Sequence, residues 1–233
     1  MKFGGTSVAD PEKVSRAAER AIAYRKKGHQ VVVVVSAPGD MTDDLIALAG
    51  RVTPNPGGRE LDMLLATGEQ VSIALFAMAV RARGCEAISL TGPQAGIEAD
   101  AQHNKGRIVR IRPEPIRREL RRGRIVAVAG FQGRGPGEDV VTLGRGGSDL
   151  TAVALAAALK AGRCEIYTDV RGIYTADPRI VAQARLLPRI SAAEMLELAG
   201  SGAQVMQARS IALAHRYRVS IHVRSAFDIR PGT

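Results

Sequence analysis

The hydrophobic and polar positions of the chain alternate in two different periods, which predict helices and strands in turn. Asp10 and Pro11 are typical of a helix start, and apolar residues at positions 14, 17, 18, 21 and 22 mark a helical face that ends before Gly28. Residues 31–35 are five consecutive valines, a pattern typical of a strand buried on both faces. The start of the chain therefore predicts a helix followed by a buried strand.

The same two periods continue to the end of the chain. Further helices are predicted at 61–83, 148–162, 192–198 and 207–217, and further strands at 87–90, 125–129, 140–143, 164–168 and 219–223. Alternation of strands and helices predicts a mainly parallel sheet, because parallel neighbours need crossover connections that cover both faces. We therefore expect an α/β fold, a three-layer αβα sandwich, in one domain over residues 1–233.

Composition makes this chain an ordinary globular one. Of its 233 residues 45% are hydrophobic and 24% charged, which excludes a disordered or collagen-like chain. Cys85 and Cys164 lie far apart in the sequence, so we expect a reducing, cytoplasmic location rather than a disulfide framework. No signal peptide is recognisable, and the apolar runs at 73–80 and 125–129 are far shorter than a membrane span. We expect a soluble protein without a membrane partner.

The net charge of +10 is concentrated in one segment. Residues 105–124 hold nine basic and two acidic side chains, which gives +7. Such a segment fits either an anion-binding face, for nucleic acid or an acidic substrate, or a solvated helix with Ile116 and Leu120 turned inward. The segment has no aromatic residue on which bases could stack. The helix is therefore the favoured interpretation, and nucleic acid is an unlikely partner.

Two glycine-rich segments are candidates for phosphate handling. Residues 2–7 read Lys-Phe-Gly-Gly-Thr-Ser before a helix, and residues 142–149 read Thr-Leu-Gly-Arg-Gly-Gly-Ser-Asp where a strand turns into a helix. Glycine lets the backbone approach a ligand closely, and a helix start offers free N–H groups to an anion. Neither segment fits the P-loop or the dinucleotide-binding pattern. Each alone could be a structural turn, but two such loops with Lys2 and Arg145 favour phosphate binding.

Other candidates are weaker when judged from the residues alone. The polar residues 167–179 leave the end of a predicted buried strand, where open α/β sheets bind ligands, but they could equally form a turn-rich connection. Residues 36–42 could hold a small substrate or form a strand-to-helix turn. Glu69 would by default be a surface acid of its helix. The four histidines share no ligand spacing, so no metal site is predicted.

Three of these segments resemble one family. Residues 2–8, 144–149 and 168–179 resemble the catalytic domain of aspartokinases, in the amino acid kinase superfamily, and the likeness is collinear from residue 2 to Thr233. It includes residues 36–42, 67–69, 130–133 and 223–225. The resemblance implies phosphorylation of the side-chain carboxylate of L-aspartate by ATP, with Mg²⁺ held mainly through the phosphates. This reaction is the first step of lysine, threonine and methionine biosynthesis, and the resemblance also implies a homodimer.

The resemblance also implies roles for individual residues. The carboxylate and ammonium of the amino acid would be held by Arg145 and Glu69, with help from Ser36, Thr42, Phe131 and Ser148. The transferring phosphoryl group would face Lys2, Gly4, Gly5 and Ser148. The nucleotide would be held by Thr168, Asp169, Tyr174 and Arg179, and by the segment around Gln204. Asp149 would orient Lys2.

The chain departs from the family pattern in three places. Only Met1 precedes Lys2 where the family has several strand residues, so we expect either that the chain is a fragment or that its first strand is cut short and holds Lys2 poorly. Gln204 stands where many members have a lysine, and we expect weaker ATP binding from the lost charge. The chain ends at Thr233, where the family continues into ACT domains, so feedback by lysine or threonine is not predicted for this chain, and regulation by a separate ACT-containing subunit stays open.

Two other functions remain open at this point. The first is a sibling kinase of the same fold that acts on acetylglutamate, glutamate, carbamate or UMP. The second is a non-catalytic protein that binds anions or nucleic acid through residues 105–124. The pairing of residues 2–7 with residues 144–149 favours aspartate as the acceptor.

Overall fold

The computed structural model describes residues 1–202 and 205–233. Its strands are β1 (Lys2–Phe3), β2 (Val32–Val35), β3 (Ala87–Leu90), β4 (Ile97–Ala99), β5 (Ile108–Ile111), β6 (Ile125–Ala129), β7 (Gln132–Arg134), β8 (Val140–Thr142), β9 (Cys164–Thr168) and β10 (Ile221–Ser225). Its α-helices are α1 (Pro11–Lys26), α2 (Met41–Val52), α3 (Gly58–Arg81), α4 (Glu114–Arg121), α5 (Gly147–Leu159), α6 (Ala192–Gly200) and α7 (Ala208–Tyr217).

The main sheet is parallel throughout and has β1 near its middle. Its six strands follow the order β10-β9-β1-β2-β6-β3, with every neighbouring pair parallel. The alternate valines of β2 point to opposite faces: Val33 and Val35 pack with α1 and α3, while Val34 packs with α5 and α7. The predicted sandwich, with helices on both faces of a mainly parallel sheet, is therefore confirmed.

A second, smaller sheet was not predicted. It has the order β5-β4-β7-β8 and includes both antiparallel and parallel pairs. Of its strands only β8 was expected, and α2 was also missed. Strands of three or four residues are too short to establish a period of two in the sequence. This sheet brings β8 against α3, beside the start of α5.

The Arg-rich segment is a solvated helix with neighbouring strands and loops. Ile116 is fully buried and Leu120 nearly so, which confirms the inward face expected of α4. The carboxylate of Glu119 is buried and accepts hydrogen bonds from the guanidinium groups of Arg118, Arg122 and Arg124. Part of the positive charge is therefore neutralised within the fold.

Helix α3 corrects the expectation about apolar runs. By length and composition alone, this helix of 24 residues could cross a membrane. However, half of its most apolar stretch is buried inside the protein. Asp62 and Glu69 lie in this helix and are also buried, and the helix packs against α1, β3, β6 and β8. These contacts are those of a core helix.

Candidate active site

Four of the predicted functional segments follow the carboxyl ends of neighbouring strands in the main sheet. Strands β9, β1, β2 and β6 are consecutive in the sheet and parallel, so their carboxyl ends share one edge. In open α/β sheets ligands bind at that edge. The loops that begin at Gly4, Ser36, Gly130 and Asp169 all start there.

Lys2 and Asp149 form an ion pair at this edge. Lys2 Nζ lies 2.7 Å from Asp149 Oδ1, and both side chains are only 12% exposed. Lys2 is held on both sides, because β1 pairs it with Val34 of β2 and Ile166 of β9. Asp149 lies in the first turn of α5. The structure therefore contains the expected contact between Lys2 and Asp149. Their roles in phosphoryl transfer remain predictions.

Glycines let the backbone segments approach each other closely beside Lys2. A Cβ atom at Gly4 would lie 3.6 Å from Lys2 Nζ, and one at Gly5 only 2.8 Å from Ala37 O. The Gly5 carbonyl accepts a hydrogen bond from Gly39 N at 3.1 Å. Gly5 therefore allows the loop after β1 to pack directly on the loop after β2.

The loop before α5 turns sharply and packs on the loop after β6. Gly144 and Gly146 have φ of +70° and +72°, a conformation that L side chains rarely adopt. A Cβ atom at Gly147 would lie 2.9 Å from the ring of Phe131, and one at Gly130 would lie 2.6 Å from Ser148 Oγ. Gly147 N donates to Gly144 O at 2.9 Å, while the next amides of α5, those of Ser148 and Asp149, have no acceptor among the described residues and so suit an anion. The loop after β6 therefore packs closely against the start of α5.

Glu69 is buried, so the default expectation of a surface acid is wrong. The residue is 2% exposed, and its Oε1 accepts a hydrogen bond from Ala37 N at 3.0 Å. Its Oε2 has no hydrogen-bond partner among the described residues. Burial raises the pKa of Glu69 to about 8. A buried carboxylate with a free oxygen is suited to pair with a cationic group of a ligand.

The remaining candidates for the amino-acid substrate lie on neighbouring loops. Ser36 directly follows β2 and its N–H donates to Phe3 O at 3.1 Å. Thr42 lies in the first turn of α2. Arg145 is exposed in the loop before α5. The fold therefore positions all three on loops or helix starts, and their roles toward a ligand stay predictions.

The proposed nucleotide residues make mostly local contacts. Thr168 ends β9, and its hydroxyl donates to Asp169 Oδ1 at 2.9 Å. Tyr174 forms an isolated antiparallel bridge with Leu186. Arg179 pairs with Asp177 at 2.7 Å and its side chain is 84% exposed. Gln204, the fifth nucleotide candidate, lies outside the described residues.

Two residues that the sequence did not single out support this site. Arg209, in the first turn of α7, donates through Nη2 to Leu143 O at 2.7 Å and to Arg145 O at 3.0 Å. Asp62 is fully buried near the start of α3. No local sequence pattern marks Arg209. Asp62 could have been found, because it lies seven residues before Glu69 and so on the same face of the predicted helix.

The described residues do not assemble a metal centre of their own. Within residues 1–202 and 205–233, no three His, Cys, Asp or Glu side chains come together in a way that could hold a metal ion. Positive charge at the site comes instead from Lys2 and Arg145, while the helix start of α5 adds backbone N–H groups. By their charge and hydrogen-bonding capacity these groups are suited to anionic phosphate and carboxylate ligands.

The fold is that of an α/β domain whose parallel sheet carries an ion-paired lysine, paired glycines and a nearby helix start at its carboxyl edge. The sequence profile of the Amino acid kinase family matches residues 1–225. The chain belongs to this family.

Named relatives refine the comparison. Over all 233 residues the chain is 55% identical to aspartokinase 2 of Bacillus subtilis, and it spans 57% of the length of that protein. The structure of aspartate kinase from Synechocystis superposes with a TM-score of 0.89 at 48% identity, covering 100% of this chain and 38% of that one. The structure of E. coli aspartokinase III in complex with aspartate and ADP also gives a TM-score of 0.89, at 29% identity, covering 99% of this chain and 62% of that one.

Proposed function

We propose that this chain has aspartate kinase activity, transferring the γ-phosphoryl group of MgATP to the side-chain carboxylate of L-aspartate and forming 4-phospho-L-aspartate and ADP. The observation that carries the proposal is the 55% identity to a curated aspartokinase over the whole chain. The ion-paired lysine at the carboxyl edge of the sheet supports it. The reaction would be the first step of lysine, threonine and methionine biosynthesis.

The acceptor in this reaction needs no general base. The side-chain carboxylate of aspartate is already ionised at pH 7, so its oxygen can attack phosphorus directly while the bond to the ADP oxygen breaks. Catalysis is then alignment together with neutralisation of the charge on the phosphoryl oxygens. Lys2 would supply that charge, Gly4 and Gly5 would leave room for the phosphoryl group, and Asp149 would hold the lysine in place.

The amino acid would be held at both ends. The free oxygen of Glu69 would accept hydrogen bonds from the ammonium group, and Arg145 would bind the carboxylate. Ser36, Thr42, Phe131 and Ser148 would surround the rest of the substrate. The reacting carboxylate would then point toward Lys2.

The nucleotide would lie beyond the carboxyl end of β9. Thr168, Asp169, Tyr174 and Arg179 would hold it, and Mg²⁺ would enter with ATP and stay bound mainly through the phosphates. Gln204 would give this chain weaker ATP binding than a lysine would. Gln204→Lys is therefore expected to lower the KM for ATP, which steady-state kinetics would measure.

The proposal extends to assembly and location. We propose a homodimer, because Val71, Leu75 and Met78 form a stripe on α3 whose members are between 39% and 64% exposed and would be removed from water by a second copy. Light scattering on the native chain and on Met78→Glu would test this. The free thiols of Cys85 and Cys164 fit a reducing, cytoplasmic location.

The deciding experiment measures ADP release from MgATP with and without L-aspartate, with hydroxylamine present to trap the acyl phosphate. Aspartate-dependent ADP release with matching hydroxamate is expected, and glutamate, acetylglutamate, carbamate and UMP should give little. Turnover with one of those acceptors instead would identify a sibling kinase. No turnover, together with a salt-sensitive gel shift of DNA or RNA, would favour a nucleic-acid-binding function of residues 105–124.

A further inference from the structure

Asp62 is a fully buried carboxylate that the mechanism above does not use. It accepts hydrogen bonds from His103 Nδ1 at 2.7 Å, from Asn104 Nδ2 at 2.7 Å and from Asn104 N at 3.1 Å. The hydroxyl of Thr142 donates to it as well. One side chain of α3 therefore joins this helix to the loop before β5 and to the end of β8.

Asp62 stands on the same face of α3 as Glu69. Seven residues are two helical turns, so the two carboxylates lie about 10 Å apart along the helix axis. Glu69 contacts the loop after β2 through Ala37 N. A contact that fixes the position of α3 at Asp62 therefore also fixes the position of Glu69.

The partners of Asp62 lead to the loop that carries Arg145. Thr142 ends β8, three residues before Arg145. Asn104 O would lie 3.2 Å from a Cβ atom on Gly144, so the loop held by Asp62 packs against the backbone next to Arg145. Gly106 N also donates to Thr142 O at 2.8 Å. One connection therefore reaches the 144–147 loop directly, through Asn104 and Gly144, and the other reaches it along the chain from Thr142.

We propose that Asp62 is a positioning residue that sets the span between Glu69 and Arg145, and so determines how the site fits the two ends of its amino-acid substrate. The proposal rests on the proposed function, which assigns the ammonium to Glu69 and the carboxylate to Arg145. Asp62 touches neither end of the substrate. It acts through α3 on one side and through Thr142 and Asn104 on the other.

A purely structural role explains this cluster less well. A buried charge with polar partners is often no more stable than well-packed apolar residues of similar volume, so stability alone gives little reason for a carboxylate here. Hydrogen bonds from two separate segments to one side chain do fix a relative position. Preorganised substrate contacts depend on such supporting contacts.

The test compares variants of both ends of the Asp62–Thr142 contact. Thr142→Val removes the hydroxyl at nearly constant volume, Thr142→Ser keeps it, and Asp62→Asn removes the charge. Glu60→Gln is the matched control, because Glu60 is an exposed acid of the same helix whose ion pair, among the described residues, is with Arg59 alone. Each variant is checked by thermal unfolding, and KM for aspartate, KM for ATP and kcat are measured.

Thr142→Val and Asp62→Asn are expected to raise the KM for aspartate roughly 10-fold or more while the KM for ATP and kcat change less than about threefold, the pattern of lost ground-state binding. Thr142→Ser and Glu60→Gln should stay near the native values. Folded variants with an unchanged KM for aspartate, or with both KM values raised equally, would overturn the proposal.

A second measurement separates this proposal from the proposed function. Without any substrate, hydrogen exchange at the amides of Leu143 and Gly147, which donate to Phe131 O and Gly144 O, reports how firmly the 144–147 loop is held. Thr142→Val should speed this exchange and Thr142→Ser should not. If the native protein does not phosphorylate aspartate, the proposed function fails; unchanged exchange would then overturn the positioning role independently.

Discussion

Lys2 Nζ and Asp149 Oδ1 are 2.7 Å apart, although one residue lies in the first strand and the other in the first turn of α5. The pair is little exposed, so water screens it weakly and each charge holds the other in place. The ammonium group therefore has a defined position at the carboxyl edge of the sheet before any ligand binds. A site that neutralises developing phosphoryl charge benefits from such preorganisation.

Lys2→Ala is expected to lower kcat by about 10²- to 10³-fold, the usual cost of removing one charge-assisted donor from the transition state. Circular dichroism and the melting temperature should show an intact fold. Lys26→Ala, which removes an exposed lysine from α1, serves as the control and should leave turnover unchanged. Near-normal turnover in Lys2→Ala would remove this lysine from the mechanism.

Aspartate binding should strengthen as the pH rises toward 8. Burial raises the pKa of Glu69 to about 8, so this side chain is mostly neutral at pH 6.5 and must lose its proton to pair with the ammonium group. The affinity for aspartate, measured by calorimetry in buffers of different ionisation enthalpy, should increase up to tenfold per pH unit below 8 and level off above it. A pH-independent affinity between 6.5 and 8.5, with no proton release, would contradict this role of Glu69.

The raised pKa of Glu69 also makes the stability of the folded protein depend on pH. Between pH 4.5 and about 8 the unfolded chain has lost the Glu69 proton while the folded protein keeps it, so the contribution of Glu69 to the free energy of unfolding falls as the pH rises. Glu69→Gln removes this loss, so the free energy of unfolding of the variant minus that of the native protein should be larger at pH 8.5 than at pH 4.5 by roughly 3–6 kcal/mol. Urea unfolding at both pH values measures the difference, with Glu60→Gln as the control expected to show none.

Gly5→Ala should damage both the fold and the site. The added Cβ atom would lie 2.8 Å from Ala37 O, a backbone atom that can move only with its loop. We expect a loss of roughly 1–3 kcal/mol of stability, as for overpacked interiors, together with reduced turnover. Gly162→Ala is the matched control, because no described atom lies within 4 Å of its Cβ position. Equal stability of the two variants would show that the loops after β1 and β2 do not need this close approach.

Much of the fold could be predicted because long apolar patterns leave few alternatives. The five valines predicted β2, and Asp10 caps α1 as expected, accepting a hydrogen bond from Lys13 N at 2.8 Å. The end of α5 was predicted at 162 but lies at Leu159, because Lys160 turns into the left-handed conformation with φ of +52°. The exact end of a helix depends on single residues, so the hydrophobic periodicity of the sequence predicts it poorly.

The site was less predictable because burial is decided by distant segments. Glu69 is buried through Ala37 of another loop, and Arg209 reaches Arg145 O from a helix 64 residues further along the chain. Neither contact leaves a pattern in the neighbouring sequence. The glycine-rich loops were found because their conformation requires glycine locally, as the φ values of Gly144 and Gly146 illustrate.

The strand order also governs when the Lys2–Asp149 pair can be completed during synthesis of the chain. Lys2 is synthesised well before Asp149, yet β1 lies between β2 and β9, and Ile166 is its partner on one side. Domains form during translation as their segments leave the ribosome, at about 5–20 residues per second. The β1 segment of the nascent chain must therefore stay available for roughly 8–30 seconds until Asp149 and β9 have emerged. A ribosome that stalls before that point holds a chain in which Lys2 lacks the counter-ion Asp149.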